Sequence, residues 1–212
     1  IQSVTEEIAQ SLGLDKARGA LVSRVTENGP AIASGIESSD VILSFDGKPI
    51  EKMVELPRVV AETGIDKAVS VVLWRKGARK TVQLKVEELR DEREQAVASL
   101  GTPEPAVQEV KKIELKELGV TVVEISDATR EKYTIPSSVR GLVVVEIDDS
   151  SDAALKGLHP GDVIDEIQQM YIATAADADT AIRRAKDGAR SVVLIRVMSA
   201  GSIRLVPIKM AG

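Results

Sequence analysis

Arg18-Gly-Ala-Leu-Val22 returns as Arg140-Gly-Leu-Val-Val144, at an offset of 122 positions. Carried forward without a gap, that offset lays Ala31 on Ala153, Gly35 on Gly157, Asp40-Val-Ile42 on Asp162-Val-Ile164 and Ile50 on Ile172. Ser70-Val-Val-Leu73 then meets Ser191-Val-Val-Leu194 at an offset of 121, one residue having been lost between. A fixed offset held over so long a stretch marks a duplicated unit, and it governs the reading of every element inside it. The 212 residues therefore read as two copies of one small domain.

Within one copy the elements follow from local chemistry. Thr5 caps a short helix to Leu12, with Glu6 and Glu7 at its positive end and Gly13 to stop it. Gly19 to Val25 alternates as a strand, and Asn28-Gly-Pro30 is a turn. Ala31 to Ser34 is one helical turn halted by Gly35, and Asp40 to Phe45 is a second strand. Asp46-Gly47 is a tight-turn pair. Glu51 to Thr63 is the main helix, with Pro57 tolerated near its start. Val69 to Arg75 and Lys80 to Val86 close the unit as a hairpin across Lys76-Gly77. The second copy repeats this order, with Ala175 to Lys186 as its main helix. The expected fold is α+β: in each copy a small curved antiparallel sheet, or partial barrel, capped by two helices.

Between the copies, Glu87 to Glu94 is a charge run, and Pro103 and Pro105 bar a regular helix. The boundaries read as 1–88 for the first domain, 89–112 for the linker and 113–212 for the second domain.

Composition narrows the function. Aromatic residues make up 2% of the chain, so the cores are aliphatic and there are few platforms for stacking bases. A net charge of −5 and no basic stripe argue against a nucleic-acid partner. With no cysteine there is neither a disulfide nor a thiol nucleophile. No apolar run reaches the ~20 residues that span a bilayer.

The string Gly19-Ala-Leu-Val…Gly29-Pro-Ala…Ser34-Gly-Ile…Asp40-Val-Ile…Asp46-Gly-Lys-Pro-Ile50 resembles a bacterial PDZ domain. Gly141…Ala153-Ala-Leu-Lys-Gly-Leu-His-Pro-Gly-Asp-Val-Ile164 resembles it more closely still. Two such domains with a linker of this length are similar to the C-terminal half of the DegP/HtrA family of periplasmic serine proteases, including its MucD/DegQ-like members. The resemblance implies a peptide-binding site. An aliphatic-Gly-aliphatic loop presents backbone N–H groups to the C-terminal carboxylate of a peptide, and the strand after it takes the peptide as a new sheet edge. Here Leu118-Gly119-Val120 matches the loop, Thr121, Val122 and Val123 match the strand, and Ala178, Ala181 and Ile182 are candidates for the facing helix wall. The bland alternative is that Gly119 only eases a bend ahead of a core strand.

In the first copy the offset places the matching loop just ahead of Ile1, so the chain is expected to begin inside its first domain. Ile1 then falls on the receiving strand, and Leu56, Val59 and Val60 are candidates for its helix wall or for its core.

No catalytic residue, metal ligand or cofactor site is expected. His159 is the only histidine and replaces Glu37 of the first copy, so it reads as a turn residue. Neither a Gly-Asn-Ser-Gly-Gly nucleophile segment nor a His-Glu-x-x-His zinc segment is present. The resemblance implies the regulatory region of an HtrA-like protease. Its partners would be C-terminal or unfolded segments of envelope proteins, its own protease domain and further copies of itself, in the periplasm. The PDZ sensor region of a membrane metalloprotease and a scaffold with no enzyme attached remain as alternatives.

Overall fold

The computed structural model describes residues 1–26, 29–87, 112–199 and 201–211. The expected linker lies outside these residues except for Lys112, and so do the charge run beyond Glu87 and the Pro103/Pro105 pair. The first copy contains β1 (Gln2–Ser3), α1 (Glu6–Leu12), β2 (Ala20–Leu21), α2 (Pro30–Ala33), β3 (Val41–Phe45), β4 (Lys48–Pro49), α3 (Glu55–Ala61), β5 (Ala68–Arg75) and β6 (Ala78–Lys85). The second contains β7 (Ile113–Leu115), β8 (Val120–Glu124), α4 (Asp127–Tyr133), β9 (Leu142–Ile147), α5 (Asp152–Leu155), β10 (Val163–Ile167), β11 (Met170–Tyr171), α6 (Ala175–Asp187), β12 (Val192–Ser199) and β13 (Ser202–Lys209). Each copy builds one antiparallel sheet, in the order β1-β2-β3-β5-β6 and β13-β12-β10-β9-β8-β7, with β4 on β3 and β11 on β10. Among the described residues neither sheet closes into a barrel.

The duplication recurs in backbone contacts as far as β3 and β10, but the match of Ser70–Leu73 to Ser191–Leu194 is not kept: Leu73 stands opposite Ile42 as Val197 stands opposite Ile164, an offset of 124. Gly19 has φ +91°, and a Cβ there would stand 2.6 Å from the Ile42 carbonyl oxygen and 2.7 Å from Val41 Cγ1. Gly141, at φ +136°, meets the equivalent Ile164 oxygen and Val163 Cγ1. Both the conformation and the close approach require glycine. Val22 N–H donates to Asp40 O at 2.8 Å, and Val144 N–H donates to Asp162 O at 2.8 Å. The carboxylates of Asp40 and Asp162 each take a turn amide, from Glu37 at 2.8 Å and from His159 at 3.0 Å. His159 thus occupies a carboxylate-braced turn.

Two elements differ in extent from the sequence reading. The strand expected over 19–25 forms a ladder only at Ala20–Leu21, because Val22 instead exchanges hydrogen bonds with the turn at Ser39-Asp40. The helix expected over 51–63 is Glu55–Ala61. The Glu55 carboxylate takes the amides of Glu51 (2.8 Å) and Lys52 (3.1 Å), which holds residues 51–54 as a turn ahead of the helix.

Each copy has its own aliphatic core, and a further core joins them. Ile8 and Leu12 of α1, Leu21 and Val41 of the first sheet, and Leu194 and Leu205 of β12 and β13 are buried together, with Trp74 at the margin. The Trp74 indole donates to Leu12 O at 2.8 Å and fixes the end of α1. Around this core, polar groups cross between copies. The Gln2 side-chain amide donates to Leu205 O (2.8 Å) and accepts from Leu205 N–H (3.2 Å). Gln168 Nε2 reaches Ser11 O at 3.2 Å. Gln169 donates to Ser39 O at 2.5 Å and accepts from Lys76 N–H at 2.6 Å.

Gln168 and Gln169 occupy the tight turn that Asp46-Gly47 makes in the first copy, and both are left-handed, at φ +50° and +59°. Neither residue suits that region, and each costs of order 1–3 kcal/mol there. The cost is accepted where both side chains clasp the other copy. Replacing Gln168-Gln169 by Asp-Gly should therefore relax the turn while releasing the clasp. We expect unchanged circular dichroism and a larger radius of gyration in solution scattering. An unchanged radius would mean that the apolar contact alone holds the copies together.

Glu166 is buried at this junction. Its carboxylate takes the Ser39 hydroxyl and lies 3.0 Å from Arg196, which is itself bidentate to Asp165 at 2.8 and 2.9 Å. Burial pushes the Glu166 carboxyl above its ordinary value near 4.5, against the opposing pull of Arg196 and Ser39. A raised carboxyl keeps its proton in the folded chain after the unfolded chain has lost it, so stability falls as pH rises from 4.5 through the folded value. We expect the urea midpoint of Glu166→Gln, relative to the unsubstituted chain, to rise across that window. A constant difference would show that Glu166 is ionised in both states.

Candidate functional site

The chain from Lys116 to Leu118 makes one 3-10 turn, and Gly119 follows it at φ +66° and ψ +33°. Gly119 is needed twice over. Its conformation is left-handed, and a Cβ would collide with the Ser151 side chain. Ser151 is fixed there because its hydroxyl caps α5, accepting from Ala154 N–H at 3.2 Å. The Gly119 N–H donates to Lys116 O at 3.1 Å, and its carbonyl accepts from Asp148 N–H at 2.9 Å.

Helix α6 is pinned along β8 at both ends. Near its start, Ala175 N–H reaches the Glu124 carboxylate at 3.4 Å. In its last turn, Lys186 Nζ meets Glu117 Oε1 at 2.7 Å, and this contact holds the Glu117 carboxyl below its ordinary range. The Glu117 carbonyl also accepts from Ala211 N–H at 2.9 Å, which ties the chain after β13 to the loop. Ala178, Ala181 and Ile182 lie buried in one core with Leu115, Leu118, Val120 and Val122. Val123 points to the other face of the sheet, into a separate cluster with Ile135 and Val143, and Thr121 is half-buried.

The loop, the strand and the helix wall expected from the sequence are thus brought together. The receiving edge is not open, however. Strand β8 carries β9 on one side, with Thr121 opposite Glu146, and β7 on the other. Leu115 lies opposite Val120, Glu114 opposite Thr121 and Ile113 opposite Val122. Ala178, Ala181 and Ile182 consequently pack in a filled core. A cleft of ≈ 410 Å³ beside the loop is lined, among the described residues, by Glu114, Glu146 and Asp148 together with Lys116. Sequence reasoning assigned Ile113 to the domain edge and gave it no partner. The available signal was Ile113-Glu-Leu115 mirrored by Val120-Thr-Val122 across a glycine loop, which is a hairpin pattern.

The first copy differs. Strand β1 pairs with β2, and among the described residues no strand pairs its other edge. Ser3 Oγ faces Met53 Sδ across 3.8 Å at the turn that leads into α3. Leu56 is buried in the core, Val59 and Val60 are half-buried against it, and Ile1 is exposed.

A family model described as "PDZ domain" matches residues 4–86, and the second copy repeats the topology and the buried contacts of that segment. Residues 4–86 are thus similar to a PDZ domain, the second copy shares their strand order, and both are α+β in class. The chain is homologous along its whole length to the DegP-like endoproteases. A protein of Pseudomonas fluorescens named "Probable periplasmic serine endoprotease DegP-like" is 35% identical over 211 residues, covering 100% of this chain and 42% of the relative. A protein of the same name from Rhizobium meliloti is 30% identical over 206 residues, covering 97% of this chain and 39% of the relative. The chain therefore spans about two fifths of the length of these relatives. Among solved structures, "HtrA-type protease AlgW with decapeptide" is 31% identical, with a TM-score of 0.37 over 41% of this chain and 26% of that one.

Gly119 and Gly47 provide a paired test of the loop. Both have positive φ, but nothing lies within 4 Å of a Cβ at Gly47. We expect Gly47→Ala to cost about 1 kcal/mol for backbone conformation alone, and Gly119→Ala to cost clearly more because Ser151 must also move, as read from urea unfolding. Equal costs would show that the Ser151 contact is relieved at no expense.

Proposed function

We propose that this chain is the peptide-binding regulatory region of an HtrA-like serine endoprotease of the periplasm. It captures C-termini or extended segments of misfolded envelope proteins and passes that binding on to a protease domain, within an assembly of several copies. Its homology over the full length to endoproteases of that kind is the observation that carries the reading. That homology favours it over the metalloprotease sensor and the free-standing scaffold. The chain on its own is proposed to have no protease activity.

The chemistry offered is strand addition. A peptide in extended form supplies backbone hydrogen bonds to β1, or to β8 in place of β7, with alternate side chains facing α3 or α6. The loop at Leu118-Gly119-Val120 takes the terminal carboxylate by its N–H groups, and Ala178, Ala181, Ile182, Leu56, Val59 and Val60 shape the apolar side. Affinity in such contacts is modest, on the order of micromolar, and two linked domains raise it by avidity.

The test compares one hydrophobic peptide as free acid and as C-terminal amide. We expect the amide to bind about tenfold or more weakly by calorimetry, since an anion on backbone donors is worth at least ~1.4 kcal/mol over a neutral group. Equal affinities would rule out carboxylate capture.

A further inference from the structure

Strand β7 stands where an added peptide strand would stand. It runs antiparallel to β8, on the edge away from β9, and it runs toward the Gly119 loop, as a peptide with its C-terminus in that loop must. Its register is a ligand's register. Leu115 faces Val120 at the loop end, Ile113 faces Val122 two residues back, and exposed Glu114 lies between them. Leu115 is 4% exposed and shares its core with Ala178, Ala181 and Ile182, and Ile113 packs against the same cluster. The Gly119 N–H, which a carboxylate would need, is already given to the Lys116 carbonyl one residue beyond β7.

We propose that Ile113–Leu115 is a built-in ligand that keeps the groove of the second copy shut, and that peptide binds there by displacing it. The proposal rests on the peptide-binding reading above. Displacement exchanges like for like. The incoming backbone replaces that of β7, its aliphatic side chains replace Ile113 and Leu115, and its carboxylate replaces the Lys116 carbonyl on Gly119. Three ladder pairs hold β7 in place. The ion pairs beside it, Lys112–Glu146 at 2.6 Å and Lys116–Glu114 at 3.9 Å, have side chains more than half exposed and add little. The hold is strong enough to occupy the groove and short enough to be exchanged. In the second copy the groove thus carries its own occupant.

The absence of cysteine allows a clean test in the full 212-residue chain. Glu114→Cys with Thr121→Cys places two thiols directly opposite each other on β7 and β8, within reach of a disulfide. The probe is a synthetic peptide ending Lys-Lys-Ile-Glu-Leu with a free carboxylate, followed through the amide resonances of Val122 and Val123. The apparent affinity of a partly closed groove is its intrinsic affinity scaled by the open fraction. We expect Ile113→Asp, which removes one apolar anchor, to bind about tenfold or more tightly than the unsubstituted chain. We expect the oxidised cysteine pair to show no binding at this site, and its reduced form to recover it. Binding by the oxidised form equal to that of the reduced form would overturn the latch and leave the peptide-binding reading intact. Absence of binding in every form, including Ile113→Asp and the reduced pair, would overturn both.

Discussion

The N–H and C=O groups along the outer strand of a sheet must find partners, and this structure is organised by how they do so. At β8 the answer is β7, a three-residue strand returned by the hairpin at Gly119. At β13 it is a side chain: the Gln2 amide both donates to and accepts from Leu205, reproducing one rung of a ladder. β13 also carries Pro207, which has no N–H to give and is suited to an edge strand. At β1 no strand among the described residues takes up the demand. The same backbone requirement thus closes the second copy and helps to join the two.

Joining the copies changes what each residue does. Ile8 and Leu12 of α1 belong to the first copy in sequence, yet they are buried with Leu194 and Leu205 of the second. Gln168 and Gln169 hold a turn conformation that costs free energy in isolation, and their amides are spent on the other copy. Glu166 is a buried carboxylate whose desolvation is only partly offset by Arg196 and by a serine from the first copy. Ile8, Leu12, Gln168 and Gln169 find their partners across the junction, and Glu166 is held from both sides of it.

Much was legible in the chain itself. The 122-residue offset fixed the duplication, because glycines at close approaches and aspartates that brace turns recur wherever the backbone path recurs. Gly19 and Gly141 make the same close approach, and Asp40 and Asp162 brace the same turn, for that reason. The Leu118-Gly119-Val120 loop and its neighbours were also identifiable, since a left-handed glycine between apolar residues is a local requirement. Two things were decided only by the tertiary structure. Which strand fills the edge of β8 depends on a pairing whose energy lies in backbone hydrogen bonds, which are the same for every sequence. Where the two copies touch depends on side chains such as Ile8, Gln2, Gln168 and Gln169, which are unremarkable in their own segments. They acquire a role only when distant surfaces meet.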